Sequence, residues 1–193
     1  MTVIKTALPL VLASGSPRRK EILDLMDLVY TVDVSDADES FSGQPHEMVM
    51  ELSRRKALAV SPRHPDALIL AADTIVVHED KVLGKPRDKE DAAGMLKSLS
   101  GSWHSVYTGL TLIDTANNRM IQRADRTDVH FCPLTQEEIL EYIKTNEPMD
   151  KAGSYGIQGM GGMFIDRIEG SYSNVVGLPM AMLRDMLKQI TQE

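Results

Sequence analysis

One cysteine, Cys132, is all the thiol the chain carries. It can neither close an internal disulfide nor complete a multi-cysteine zinc site, and it suits a reducing compartment, so a cytoplasmic protein is expected. Positive charge is in short supply too: 21 Lys and Arg face 28 Asp and Glu, a formal net charge of −7. That balance opposes loose attraction to DNA, RNA or anionic lipid. Stable nucleic-acid or membrane partners are therefore not expected, and a polyanionic ligand needs a local cationic pocket or a metal ion. Long apolar runs are missing as well. The most apolar stretches, residues 67–72 and 175–183, fall far short of the ~20 residues that cross a bilayer. Near the start, Lys5 is followed by a short apolar run broken by Pro9, with no longer apolar segment behind it, so secretion is not expected. His46, His64, His78, His104 and His130 lack zinc-type spacing and form no credible nucleophile system with the lone thiol.

What is present is the composition of a globular protein. With 193 residues, 42% apolar and 25% charged, the chain can bury a sizeable core, as one domain over residues 1–193 or as two small lobes sharing it. Residues 8–13 form a short apolar run ending in Ser14, Gly15 and Ser16, which reads as a buried strand entering a turn. Ser16 then stands at an N-cap position with Pro17 at the first helical position. Tyr30, Val32 and Val34 alternate with polar residues like a half-buried strand, and an acidic loop with Asp36, Asp38 and Glu39 follows.

Residues 45–60 turn helical, and Lys56 falls inside the apolar arc of Met48, Val49, Leu52, Ala59 and Val60. Residues 67–77 have strong strand character, interrupted at the small and polar residues 71–74. Further helices are expected over residues 88–99, from Thr135 to about Thr145 with a capping box to Glu138, and over residues 179–190. Strands are expected over residues 107–114 and 125–131, joined by a turn at Asn117 and Asn118. The alternation implies an α/β or α+β domain with a mixed sheet.

Six places carry chemistry. Ser14, Arg18 and Arg19 surround a helix start, where dipole and donors favour an anion such as phosphate; the alternative is an ordinary cap with two solvated arginines. Asp73 is the one charge in the most apolar run, so it must be paired, protonated or bound to a metal, unless it caps a strand end. Glu39 could add a second hard oxygen for Mg²⁺, or could be merely solvated. Lys56 points to the core or a cleft, or snorkels. Lys85 sits in the bend Gly84-Lys85-Pro86, whose backbone limits its freedom. The glycine-dense residues 153–162 read as a loop where backbone approaches something closely, with Gln158 offering a donor and an acceptor to a uracil or thymine edge, or as a structural corner. Met48, Met50, Met160, Met163, Met180, Met182 and Met186 read as packing residues.

These pieces occur in a fixed order: LASGSPRRKEIL, AADTIVV, GKPRD, LSG, YTGL, DKAGSYGIQG and NVVGLP. Together they resemble the Maf family of nucleoside triphosphate pyrophosphatases over nearly the whole chain. The resemblance implies a mixed α/β fold similar to the inosine triphosphate pyrophosphatases, with a curved sheet flanked by helices, two lobes and a central cleft. It implies hydrolysis between the α and β phosphates with Mg²⁺ or Mn²⁺, and often a homodimer. By the same match, Asp73 is the catalytic carboxylate that activates water, with Lys85 among the groups neutralising the leaving pyrophosphate. Ser14, Arg18, Arg19, Lys56 and Lys85 hold phosphates, and Glu39 with Asp73 holds the metal. Arg18, Thr74 and Gln158 resemble the specificity positions of the dTTP/UTP branch rather than those of the 7-methyl-GTP branch. A non-hydrolytic nucleotide sensor in cell division is the rival class of function.

Overall fold

The structure, a computed structural model, describes residues 6–191; Lys5 lies outside them. Seven strands form one mixed sheet: β1 (Leu10–Leu12), β2 (Tyr30–Val32), β3 (Leu68–His78), β4 (Lys81–Leu83), β5 (Trp103–Asp114), β6 (Arg119–Phe131) and β7 (Ile165–Glu169). Their order is β2-β1-β3-β5-β6-β7, with β4 paired to β3. The helices are α1 (Pro17–Leu25), α2 (Pro45–Val60), α3 (Lys89–Leu99), α4 (Gln136–Lys144), α5 (Tyr172–Val176) and α6 (Met180–Thr191). No helix among the described residues is long and apolar enough to cross a membrane. The chain divides into two compact units.

The first unit takes Met1–Asp73, Thr108–Asp125 and Gly177–Glu193. Here β1 lies between β2 and β3, parallel to both. Val11, Ile69 and Ala71 from these strands, with Ala13 just after β1, pack with Ala57 and Val60 of α2 as one buried cluster. Proline opens both α1 and α2, where its missing N–H costs nothing. Ser16 does precede α1 as its N-cap, but its side chain makes no capping bond. Gly109 of β5 explains how closely α2 can approach the sheet: a Cβ there would stand 2.2 Å from the Val49 carbonyl oxygen. Ser53 of α2 bonds the Thr111 hydroxyl at 2.9 Å, and Gln122 donates to the Met50 carbonyl at 3.0 Å, fixing α2 in register with β5 and β6.

Two strand expectations are corrected here. The alternation through Val34 yields a strand of only three residues, and Val32 and Val34 are exposed. As a sheet edge, β2 pairs with β1 alone. The expected break at residues 71–74 does not occur, because Ala71 and Ala72 are wholly buried and small side chains are what a strand covered on both faces can admit.

The second unit takes Thr74–Tyr107 and Arg126–Val176. Its core gathers Leu96 and Leu99 of α3, Val106, Val129 and Phe131 of the strands, Ile139 and Tyr142 of α4, and Tyr155 and Phe164. Asp88 caps α3 by accepting from the Asp91 N–H at 2.8 Å, and the Thr135–Glu138 capping box opens α4 as its spacing predicts. Met160 and Met163 are exposed rather than packed, a further correction. The glycines around them are bound by close approach to Glu147, Tyr142 and Ile157, and leave those two side chains no core to enter.

A buried His104 gives this unit a testable pH dependence. Its Nε2 meets the Tyr155 hydroxyl at 2.7 Å, while its Nδ1 has no hydrogen-bond partner among the described residues. Burial, with the nearby charges of His78 and His130 and against that of Asp128, lowers its pKa to about 3. Folding therefore favours the neutral ring, and the stability it contributes is complete above the unfolded value of ~6.5 and lost as pH falls below it. We expect chemical denaturation to show a loss of up to ~1.4 kcal/mol per pH unit from this one group between pH 6 and 4.5. His104→Phe should be less stable at pH 7 yet depend less steeply on pH; an unchanged slope would remove His104 as the cause.

Candidate active site

The turn after β1 carries the first group of polar residues. Ser14 is buried; its Oγ accepts from the Ser16 N–H at 3.3 Å and from Nη1 of Arg19 at 2.9 Å. Arg19 sits in the first turn of α1, and its Nε donates to the Gly177 carbonyl at 3.0 Å. Gly177 has φ +112, a conformation that favours glycine, so the NVVGLP segment contributes a backbone oxygen that aims this guanidinium. Burial lowers the Arg19 pKa to about 10, with Arg18 pushing the same way and the carboxylates of Asp73 and Glu39 pushing back. The group remains a cation at neutral pH. A helix start with a serine oxygen and two guanidiniums has the donors of an anion site.

The second group is built on α2 and β3. Lys56, on the apolar arc of α2, does not snorkel: its Nζ lies 2.6 Å from Asp73 Oδ1 and 2.8 Å from Glu39 Oε1. The side chains of Lys56 and Asp73 are only 14% and 11% exposed, whereas that of Glu39 is 68% exposed. Burial of Asp73 in an apolar strand is thus met by pairing, which answers the question its position raises. Ser14, Arg18, Arg19, Glu39, Lys56 and Asp73 all belong to the first unit, and the charges of Asp73, Glu39 and Arg18 are felt at Arg19.

Arg55 has a role that the sequence did not disclose. Its Nε donates to Glu51 at 2.8 Å, its Nη1 to the Ser40 carbonyl at 2.9 Å, and its guanidinium stands over the Phe41 ring at 5.7 Å. With Nη1 also 3.5 Å from the Asp38 carbonyl, these contacts clamp the acidic loop on both sides of Glu39 and so bring its carboxylate to Lys56. The signal was the i,i+4 spacing of Glu51 and Arg55 beside Lys56. It did not reveal that the arginine also grips a loop.

Asp73 and Glu39 suit a divalent cation. Both carboxylates converge on one cationic centre, the Lys56 ammonium, and two carboxylates joined by phosphate oxygens are a donor set that Mg²⁺ or Mn²⁺ accepts. Among the described residues no cluster of three or more His, Cys, Asp or Glu side chains stands ready for a metal. A cation held by Asp73 and Glu39 would need further oxygen ligands from outside that pair.

Thr74, Lys85 and Gln158 belong to the second unit. Thr74 follows Asp73 directly on β3. Lys85 is exposed in the bend after β4. Gly84 there has no positive φ and open space where a Cβ would go, so glycine itself does not stiffen the bend, contrary to expectation. Its carbonyl instead accepts from the Gly153 N–H at 3.1 Å, and Pro86 is buried. That bond ties the Lys85 bend to the segment leading to Gln158, which is itself exposed.

Known proteins resemble this chain in sequence and in fold. The chain is 48% identical over 184 residues to the dTTP/UTP pyrophosphatase of Clostridium beijerinckii, covering 93% of this chain and 98% of the relative. It is 48% identical over 181 residues to the dTTP/UTP pyrophosphatase of Bacillus cytotoxicus, covering 93% and 94%. The fold is similar to that of a HAM1 protein from Coxiella burnetii, with a TM-score of 0.51 at 16% identity over 94% of this chain and 99% of that one. The family model for Maf-like proteins matches residues 9–190. Almost the entire described chain falls within that match, and the protein belongs to the Maf family.

Proposed function

We propose that this protein hydrolyses dTTP and UTP to the nucleoside monophosphate and pyrophosphate, with residues 1–193 acting as one catalytic domain. The observation that carries this reading is the 48% identity, over nearly full length, to dTTP/UTP pyrophosphatases. The paired Lys56, Asp73 and Glu39 support it. Asp73 orients a water molecule and takes its proton as the water oxygen bonds to the α-phosphorus. The bond from that phosphorus to the bridging oxygen breaks, and the electron pair leaves with pyrophosphate. Ser14, Arg18, Arg19 and Lys56 bind phosphate oxygens, and Lys85 neutralises charge on the departing group. Asp73 and Glu39 would hold a divalent cation, Mg²⁺ or Mn²⁺, which when bound supplies positive charge to the phosphate oxygens and lowers the pKa of water.

Base selection falls to Gln158 and Thr74. A polar pocket left with unpaired donors rejects a misfit strongly, so the pyrimidine edge is read by hydrogen bonds rather than by fit alone. A panel of nucleoside triphosphates, scored for monophosphate and pyrophosphate with and without EDTA, tests this reading. dTTP and UTP should be turned over fastest, and Gln158→Ala should narrow the preference for UTP over GTP by tenfold or more. Turnover of 7-methyl-GTP above UTP, or tight binding without hydrolysis, would contradict it.

A further inference from the structure

The glycine-dense segment closes around a carboxylate that has no part in the chemistry above. Glu147 begins a short 3-10 turn, Glu147–Asp150, directly after Asn146 in the left-handed conformation. Its Oε1 accepts from the Tyr142 hydroxyl at 2.8 Å and from the Gly161 N–H at 3.1 Å; its Oε2 accepts from the Met160 N–H at 3.0 Å. The glycines are what allow this approach. A Cβ on Gly159 would stand 2.3 Å from Oε1, and one on Gly161 would stand 2.6 Å from the Tyr142 hydroxyl oxygen. Lys151 closes the other side, donating to the Glu147 carbonyl at 2.7 Å, and a Cβ on Gly156 would meet its Cε at 2.7 Å.

Gln158 lies between these anchors. The Gly156 N–H reaches the Tyr142 hydroxyl at 3.4 Å on one side, and the Met160 and Gly161 N–H groups hold Glu147 on the other. Apolar packing cannot do this work at Met160 and Met163, which are 49% and 68% exposed. Although burial pushes the Glu147 carboxyl up, the donated hydrogen bonds and the Lys151 charge outweigh it and hold the group below its usual range. It is an anion at neutral pH, and its hydrogen bonds are charge-assisted.

We propose that Glu147 is a positioning residue for base selection, pinning the Gly156–Gly161 backbone so that Gln158 meets the base edge in one orientation. The proposal rests on the reading of Gln158 as the base-recognising residue. Glu147 touches no substrate in this account; it acts through the loop.

Glu147→Gln keeps the side-chain volume and removes the charge, and Tyr142→Phe removes one partner while leaving the carboxylate. In Glu147→Gln, native-state hydrogen exchange at the Met160 and Gly161 amides should accelerate about tenfold or more, and the kcat/KM preference for UTP over GTP should fall by a similar factor. The loss of preference should come mainly through KM for UTP, and Tyr142→Phe should shift both readouts the same way by less. Unchanged protection of the two amides would show that Glu147 is not the pin. Faster exchange with the preference intact would show that pinning does not govern selection. If Gln158→Ala itself kept the wild-type preference, the base-reading role would fall first, and with it this proposal, through a different variant and a different number.

Discussion

Asp73→Asn should purify as a folded protein that has lost turnover on UTP and dTTP by at least about 10²–10³-fold, the range seen when a preorganised charged group acting in the transition state is removed. Asparagine has nearly the shape of aspartate and can still accept the Lys56 hydrogen bond now made at 2.6 Å. The ammonium also keeps Glu39 at 2.8 Å. The loss of stability should therefore stay below the ~3–5 kcal/mol of an unrelieved buried charge. Asparagine cannot take a proton from water, however, and it is a poorer partner for a divalent cation. At saturating Mg²⁺ the effect should fall mainly on kcat, because the group acts on the attacking water, while the weakened cation site should raise the Mg²⁺ concentration needed for half-maximal rate. Steady-state kinetics beside a thermal melt separates the two cases; full kcat in the folded variant would take Asp73 out of the mechanism.

Lys56→Met should produce the second large loss, and a different pattern. The ammonium lies within hydrogen-bonding distance of two carboxylates, so removing it leaves the buried Asp73 and the exposed Glu39 without the cation that both now contact. Stability should drop by about 3 kcal/mol, the scale of a broken buried pair, and kcat/KM for UTP should drop about 10²-fold with the phosphate ligand. A divalent cation can replace the missing positive charge. Mn²⁺ should therefore raise the melting temperature of Lys56→Met more than that of the wild type, by mass action on the folded state. Equal shifts in the two proteins would mean that Asp73 and Glu39 do not form a cation site.

Particular elements show why some of this could be read from sequence and some could not. The limits of α2 follow from Pro45 at its start and from one continuous apolar arc, both local signals, and the placement of Lys56 on that arc led directly to its burial. The burden on Asp73 was equally local, since a charge in an apolar run needs a partner wherever the run goes. The identity of the partner was a tertiary fact. The strand β7 and the helix α5 escaped notice because their few residues carry no period that separates them from the glycine-rich segment before them. Arg55 and Glu147 were missed for a related reason. Each acts by gripping backbone at a distance in sequence, and nothing in the residue type says where an arginine or a glutamate will reach. The glycines of residues 153–162 did announce a close approach; what they approach turned out to be Glu147, Tyr142, Lys151 and Ile157 of the same unit.

Attack of water at the α-phosphorus, with departure of pyrophosphate, is the step on which the proposed mechanism rests. Hydrolysis of UTP in ¹⁸O-enriched water, followed by ³¹P NMR or mass spectrometry of the products, addresses it without reference to any variant. The account requires one ¹⁸O in UMP and none in pyrophosphate. Label in the pyrophosphate would place the attack at the β-phosphorus, and label in inorganic phosphate with UDP as co-product would place it at the γ-phosphorus; either result would contradict the account.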